Sequence, residues 1–344
     1  MGRNNKSYYK DLKQQITDRY TGMLAIGESK KEAILKGTDK DKIFSYSTYH
    51  SYKKHAFYFA DYLKQTHPEC TTLSKADKYV KEWLEKRSEQ VNSKGEKLSA
   101  WTIQLEAKAM GKLFGIEPGD KNYFEAPKRE RQDIKRSRGD TERDRHFSEK
   151  NNDEFVKFCK GTGCRRNIME KLQGKDLISR EEMEKKVEDY DKKADITDKE
   201  RKDRDNLKDA LKQFPDQTDF LHHRTDKGGR DRYAPIIGPD KEKIIERMKE
   251  TAPDDKVWKH VPGNADIHSY RGEYATQIYK GYARPIKDIP HVITEKDRKV
   301  QKEVYTCRKD EKGKKLDKVA MEKASKALGH NRLEIVANNY LRGI

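Results

Sequence analysis

Five short segments of this chain combine residue types that could cleave a phosphodiester. In chain order they are Gly161-Thr162-Gly163-Cys164-Arg165, Lys227-Gly228-Gly229-Arg230-Asp231-Arg232-Tyr233-Ala234-Pro235, Ile267-His268-Ser269-Tyr270-Arg271, Leu328-Gly329-His330, and Tyr340. A hydroxyl nucleophile working without a metal needs cationic donors on the non-bridging oxygens, because charge builds there in the transition state. It also needs a base for its own proton and an acid for the leaving oxygen. A covalent intermediate would conserve the bond energy for rejoining. Each segment alone has an ordinary reading: a surface arginine, a turn, a helix-start pair, a helix C-cap, one tyrosine among 18.

Apolar periodicity supplies elements to position these groups. Tyr49, Tyr52, Ala56, Phe59 and Leu63 recur at three to four residues, which predicts a helix from Ser47 with Thr48 as N-cap. A second helix is predicted from Ser74, with Ser74 and Asp77 spaced as a capping box and Tyr79, Val80, Trp83 and Leu84 on one side. A third runs from Ser99 through Ile103, Leu105, Ala109, Met110, Leu113 and Phe114, and Gly115 and Pro118 end it. Residues 43–117 read as a small helical domain, while 1–42 form a polar N-terminal extension with short helical patterns around Tyr8–Tyr20 and Lys30–Leu35, whose role is not readable. Residues 118–145 lose periodicity and read as a basic linker carrying Lys128, Arg129, Arg131, Lys135, Arg136 and Arg138.

Residues 146–344 read as a second domain. Helices are predicted at 152–160, 166–172, 241–249, 269–282 and 319–328. The almost wholly charged stretch 180–213 suggests a solvated helical hairpin protruding from the core. A strand pair is predicted over 218–237, turning at Asp226-Lys227-Gly228-Gly229, and a further hairpin over 302–318 across Lys312-Gly313. The fold class is mainly α with a small β-sheet (α+β).

Charged residues make up 40% of the 344-residue chain and hydrophobic ones 33%, so small cores joined by charged surface are expected. The formal net charge of +17 favours a polyanionic partner, because neutralising phosphates releases counterions. Cys70, Cys159, Cys164 and Cys307 contain no C-x-x-C pair, which suggests neither a zinc site nor a disulfide framework. No signal peptide or 18-residue apolar run is present, and a reducing cytoplasm is the expected compartment.

The five segments together resemble the tyrosine recombinase (phage integrase) family over roughly residues 45–341. The resemblance implies a helical core-binding domain and a catalytic domain forming a C-shaped clamp on double-stranded DNA. It implies that Tyr340 attacks the scissile phosphate, forming a 3′-phosphotyrosine and releasing a 5′-hydroxyl. Arg165 and Arg271 would grip the non-bridging oxygens, a task suited to a planar, always-charged fork. Lys227 would protonate the leaving oxygen, His268 would help accept the tyrosine proton, and His330 would hydrogen-bond the phosphate. No cofactor, ATP or metal would be consumed. The expected assembly is a homotetramer on two DNA sites, with accessory DNA-bending or directionality factors as compatible partners.

The sequence departs from the family's pattern at four points. An acidic residue commonly stands three positions after the first arginine, where this chain has Ile168. The span from His330 to Tyr340 is one residue longer than the commonest spacing, an offset of about 100° on a helix, which Asn338 and Asn339 could absorb as a local irregularity. The stretches 180–213 and 285–318 read as insertions. Only four residues follow Tyr340, so an inserted segment such as 183–211 is expected to link protomers. The main reading is the integrase of a mobile element. Alternatives are a resolvase or topoisomerase-like relaxer with the same chemistry, a DNA-binding protein without catalysis, and a basic scaffold on nucleic acid.

Overall fold

A computed structural model describes residues 10–92, 95–130, 147–226, 230–293, 299–308, 311–330, 332–341 and 344. The chain is mainly helical with small antiparallel sheets, an α+β composition. It divides into two compact units, Met1–Asp133 and Ile134–Ile344. Among the described residues no helix is long and apolar enough to cross a membrane.

The first unit contains α1 (Leu12–Gly22), α2 (Lys30–Leu35), α3 (Tyr46–Thr66), α4 (Val80–Glu89) and α5 (Ala100–Phe114). Side-chain oxygens of Asp11, Ser29, Ser45 and Ser99 accept from the first-turn amides of α1, α2, α3 and α5, satisfying donors that the helix leaves unpaired. Ser45, not Thr48, therefore starts α3, and Gly115 ends α5 as expected. The second helix starts later than the sequence suggests. Residues 73–75 and 77–79 are short 3₁₀ turns, and α4 begins only at Val80 with no side-chain cap.

Residues 11–43, expected to stand apart as an extension, belong to this unit's core. Ile16, Tyr20, Met23 and Ile43 are buried with Phe59, Leu63, Trp83, Met110 and Leu113. Tyr20 is fully buried and its hydroxyl donates to the Ala109 carbonyl at 2.7 Å, which ties α1 to α5. The linker also begins later than expected. Phe124 packs on the core, and the Gln104 amide donates to the Pro127 carbonyl at 2.7 Å.

The second unit opens with α6 (Asp153–Thr162) and α7 (Arg166–Met169), then β1 (Leu177–Ser179), α8 (Arg180–Lys192), α9 (Asp198–Gln213), β2 (Asp219–Asp226) and β3 (Arg230–Pro235). After α10 (Lys241–Glu250) and α11 (Ile267–Tyr282) come two small hairpins, β4 (Val292–Ile293) with β5 (Lys299–Val300) and β6 (Val304–Thr306) with β7 (Lys315–Asp317). Two helices close the unit, α12 (Lys318–Ala327) and α13 (Leu333–Asn339). The predicted strand pair is β2 with β3, and β1 adds to it in the order β1-β2-β3, all antiparallel.

The charged hairpin α8–α9 does not protrude. Met183, Leu207, Ala210 and Phe214 are buried in the main core with Tyr274, Ile278 and Met321. Sparse apolar residues at helical spacing were enough to hold it down. Asp203 adds a polar anchor, accepting from the Tyr233 hydroxyl of β3 at 2.7 Å and the Tyr190 hydroxyl at 2.9 Å, and pairing with Lys186 at 2.7 Å.

Helix α11 is the central element of the site. Tyr270, Arg271, Tyr274, Ala275 and Ile278 are buried along it, and the Tyr274 hydroxyl donates to the Pro235 carbonyl at the end of β3 at 2.8 Å.

Candidate active site

The site is assembled around the C-terminus of α12. A helix end leaves its last carbonyls without partners and carries partial negative charge. Here those carbonyls are taken by arginines. Leu328 O accepts from Arg165 Nη2 at 3.4 Å and from Arg271 Nη2, and Ala327 O accepts from Arg232 Nη1. The Leu-Gly-His segment makes this possible. Gly329 ends the helix at φ +67°, and a Cβ there would lie 2.8 Å from Cδ and 2.9 Å from Nε of Arg232. His330 N then donates to Ser325 O at 2.8 Å, which fixes the turn.

Arg165 reaches the same place from the α6–α7 turn. Gly163 caps α6 at φ +57°, and a Cβ there would come within 2.3 Å of the Tyr274 ring. Only glycine fits both the conformation and the space. The neighbouring Arg166 has a different task. Its guanidinium donates to the carbonyls of Pro262 at 2.8 Å, Gly263 at 3.2 Å and Ala265 at 3.0 Å, holding the loop that enters α11.

Arg271 lies one turn after His268 on α11, so the two share a face. His268 is at the exposed rim, whereas Arg271 is 1% exposed. Arg271 Nη1 donates to Gly163 O, tying the first-arginine turn to α11. Burial, then the positive charges of Arg232 and Arg165, lower its pKa to about 10.

Tyr340 follows directly after α13 and is 8% exposed. Its hydroxyl lies 3.3 Å from His330 Nε2, its ring centroid 5.9 Å from the Arg271 guanidinium, and the His268 ring flanks it at 5.4 Å. Val336 O accepts from both Tyr340 N at 2.9 Å and Leu341 N at 3.1 Å, a widened turn, and Tyr340 leaves helical geometry at φ −127°. Asn338 and Asn339 stay within α13, so the local irregularity expected at them is not there.

The structure therefore brings together Arg165, His268, Arg271, His330 and Tyr340. His330, expected to contact phosphate, is also within reach of the tyrosine proton. Lys227, Arg131, Lys135, Arg136 and Arg138 lie outside the described residues. Lys128 and Arg129 are exposed in the first unit, with Arg129 over the Trp101 ring at 5.6 Å. Ile168 is a buried core residue, so no acid stands on α7 at that place.

Three side chains that the sequence did not single out complete the site. Asp226 Oδ2 pairs with Arg165 Nη1 and, at 3.2 Å, with Arg232 Nε. Arg232 Nη2 lies 2.7 Å from His223 Nδ1. Burial and the adjacent Arg232 hold His223 well below its ordinary pKa, so it is neutral and accepts this bond. His223 stands opposite Arg232 across β2 and β3, a pairing that the strand register reveals and the sequence alone does not. Among the described residues two of the three guanidiniums, those of Arg165 and Arg232, meet the Asp226 carboxylate, and Arg271 is held by the carbonyls of Gly163 and Leu328. An excess of buried positive charge is costly unless an anion joins it. No protein-family model and no curated protein matches the chain.

Proposed function

We propose that this chain breaks and rejoins DNA strands through Tyr340, as a tyrosine-type site-specific recombinase, the integrase of a mobile element. The Tyr340 oxygen forms a bond to the scissile phosphorus as the bond to the 5′-oxygen breaks. The tyrosine proton passes to the adjacent imidazole, His330 by distance, with His268 beside it. Lys227 returns a proton to the leaving 5′-oxygen. Arg165 and Arg271 hold the non-bridging oxygens as their charge grows. A 5′-hydroxyl then attacks the phosphotyrosine, so the strand is resealed and the tyrosine regenerated.

One observation carries this reading: a tyrosine hydroxyl 3.3 Å from His330 Nε2, beside a buried guanidinium cluster with surplus positive charge. The net charge of +17 supports a DNA partner. In this reading the first unit is a DNA-binding module and four protomers act on two sites.

The test is a covalent-adduct assay on labelled duplexes carrying the boundaries of the protein's own genetic element, nicked near the crossover to trap the intermediate. A protease-sensitive adduct that disappears in Tyr340→Phe is the expected result. Salt-sensitive binding without an adduct would indicate a DNA-binding protein without catalysis. An adduct that survives Tyr340→Phe would mean another nucleophile.

A further inference from the structure

We propose that Asp226 is a positioning residue of this site, swung onto the site face by a bulge at Thr225 to fix the Arg165 guanidinium. The proposal rests on the DNA-cleaving reading above. From His223 to Asp226 is three residues on β2, but their partners Arg232 and Arg230 are two apart on β3. Side chains alternate along a strand, so a regular β2 would turn Asp226 away from the face of His223 and Arg232. One extra residue returns it to that face.

The bulge has a built character. Thr225 sits at φ +44°, a region that β-branched residues rarely adopt. It is held there by three bonds. Lys171 Nζ donates to Thr225 O at 2.9 Å and to Oγ1 at 2.7 Å, and Thr225 N donates to Asp231 Oδ1 at 2.6 Å. A strained residue that its surroundings over-determine is a feature the fold maintains.

The carboxylate so placed joins a fixed arginine to a more exposed one. Arg232 is anchored at all three nitrogens, on Ala327 O, His223 Nδ1 and Asp226. The Asp226 side chain is 3% exposed, whereas that of Arg165 is 20% exposed. Through Asp226 the frame of β2, β3 and α12 is imposed on Arg165. Without it, repulsion from Arg232 and Arg271 would drive Arg165, the more exposed group, away from the site.

The experiment compares adduct formation on the nicked duplex for the unaltered chain, Asp226→Asn, Arg165→Ala and the double variant, with duplex binding and thermal unfolding measured alongside. Asp226→Asn is expected to slow the reaction by about 10- to 100-fold with binding retained. In the Arg165→Ala background it should cause no further loss, because it acts through Arg165. Asp226→Glu keeps the charge, guards against a folding failure, and should give a smaller loss that also vanishes in that background. An unchanged rate, or losses that multiply, overturns the positioning role while leaving the enzyme reading intact. No adduct from the unaltered chain overturns both.

Discussion

Each unit contains a buried ionic cluster, and the two are built on opposite principles. In the first unit Glu106, fully buried, accepts from Arg87 through a two-point fork at 3.0 and 2.6 Å and from His55 at 3.1 Å. One guanidinium meets one carboxylate, and the arrangement joins α3, α4 and α5. In the second unit Arg165 and Arg232 share Asp226, while Arg271 beside them donates to the carbonyls of Gly163 and Leu328. The first cluster is complete as it stands. Among the described residues the second is short of negative charge, at the place where Tyr340 and two histidines converge. Buried ion pairs of similar appearance can thus be told apart by their charge balance.

The sharpest test of this contrast is to remove one cation from each. Arg87→Met strands a buried carboxylate and should destabilise the first unit by about 3–5 kcal/mol. Arg271→Met removes a surplus cation. The hydrogen bonds it forfeits, each about 1.5–3 kcal/mol because the donor is charged, are partly offset by relief of its repulsion from Arg165 and Arg232. Its effect on stability should therefore be the smaller, while the adduct-forming rate falls about 10²- to 10³-fold. Denaturant unfolding followed by hydrogen exchange in each unit measures the first effect, and the adduct assay the second. Equal stability losses would remove the distinction between the clusters.

Acid should separate the units next. Burial pushes the Glu106 carboxyl up, but His55 and Arg87 outweigh it and hold the group below its ordinary range. That stabilisation is full above the unfolded value of about 4.3 and is lost as pH falls through the folded value. In the second unit burial holds His222 down to about 4 and His223 well below its ordinary value. The unfolded chain takes up these protons near pH 6.5 while the folded one does not. Stability is therefore full above about 6.5 and falls below it, by about 1.4 kcal/mol per pH unit for each histidine. Protonated His223 would also lose its bond from Arg232. The second unit should lose exchange protection first on acidification, and His222→Phe should move its limit downward. Earlier loss in the first unit would contradict the assignment of neutral buried histidines.

These clusters also mark what the sequence could and could not reveal. Helices α3, α5 and α11 were legible because each repeats its apolar residues at helical spacing. The groups Arg165, His268, Arg271, His330 and Tyr340 were legible because their segments sit in recognisable order. The helices of residues 11–43 were legible as short patterns, but their place in the core was not, because Ile16, Tyr20 and Ile43 are too widely spaced to declare it. Asp226 was invisible for a different reason. A bulge is a mismatch between two strands, and neither strand alone records it. Arg232 stood in the Lys227–Pro235 segment with no role of its own, because the end of α12 that receives it lies 95 residues further along the chain.

The smallest predicted effect tests the charge deficit most directly. A site lacking negative charge should bind small oxyanions when folded and not when unfolded, so they should stabilise the second unit by mass action. With pyrophosphate at ten times its dissociation constant the gain is about 1.4 kcal/mol. The first unit's balanced cluster should gain nothing beyond the general salt effect, which potassium chloride at matched ionic strength measures. Arg271→Met should reduce the pyrophosphate-specific gain, and Arg87→Met should leave the second unit's gain unchanged. Equal stabilisation of both units by pyrophosphate and chloride would mean that the helix carbonyls and Asp226 already satisfy the three guanidiniums. The surplus charge could then no longer serve as the sign of a phosphate site.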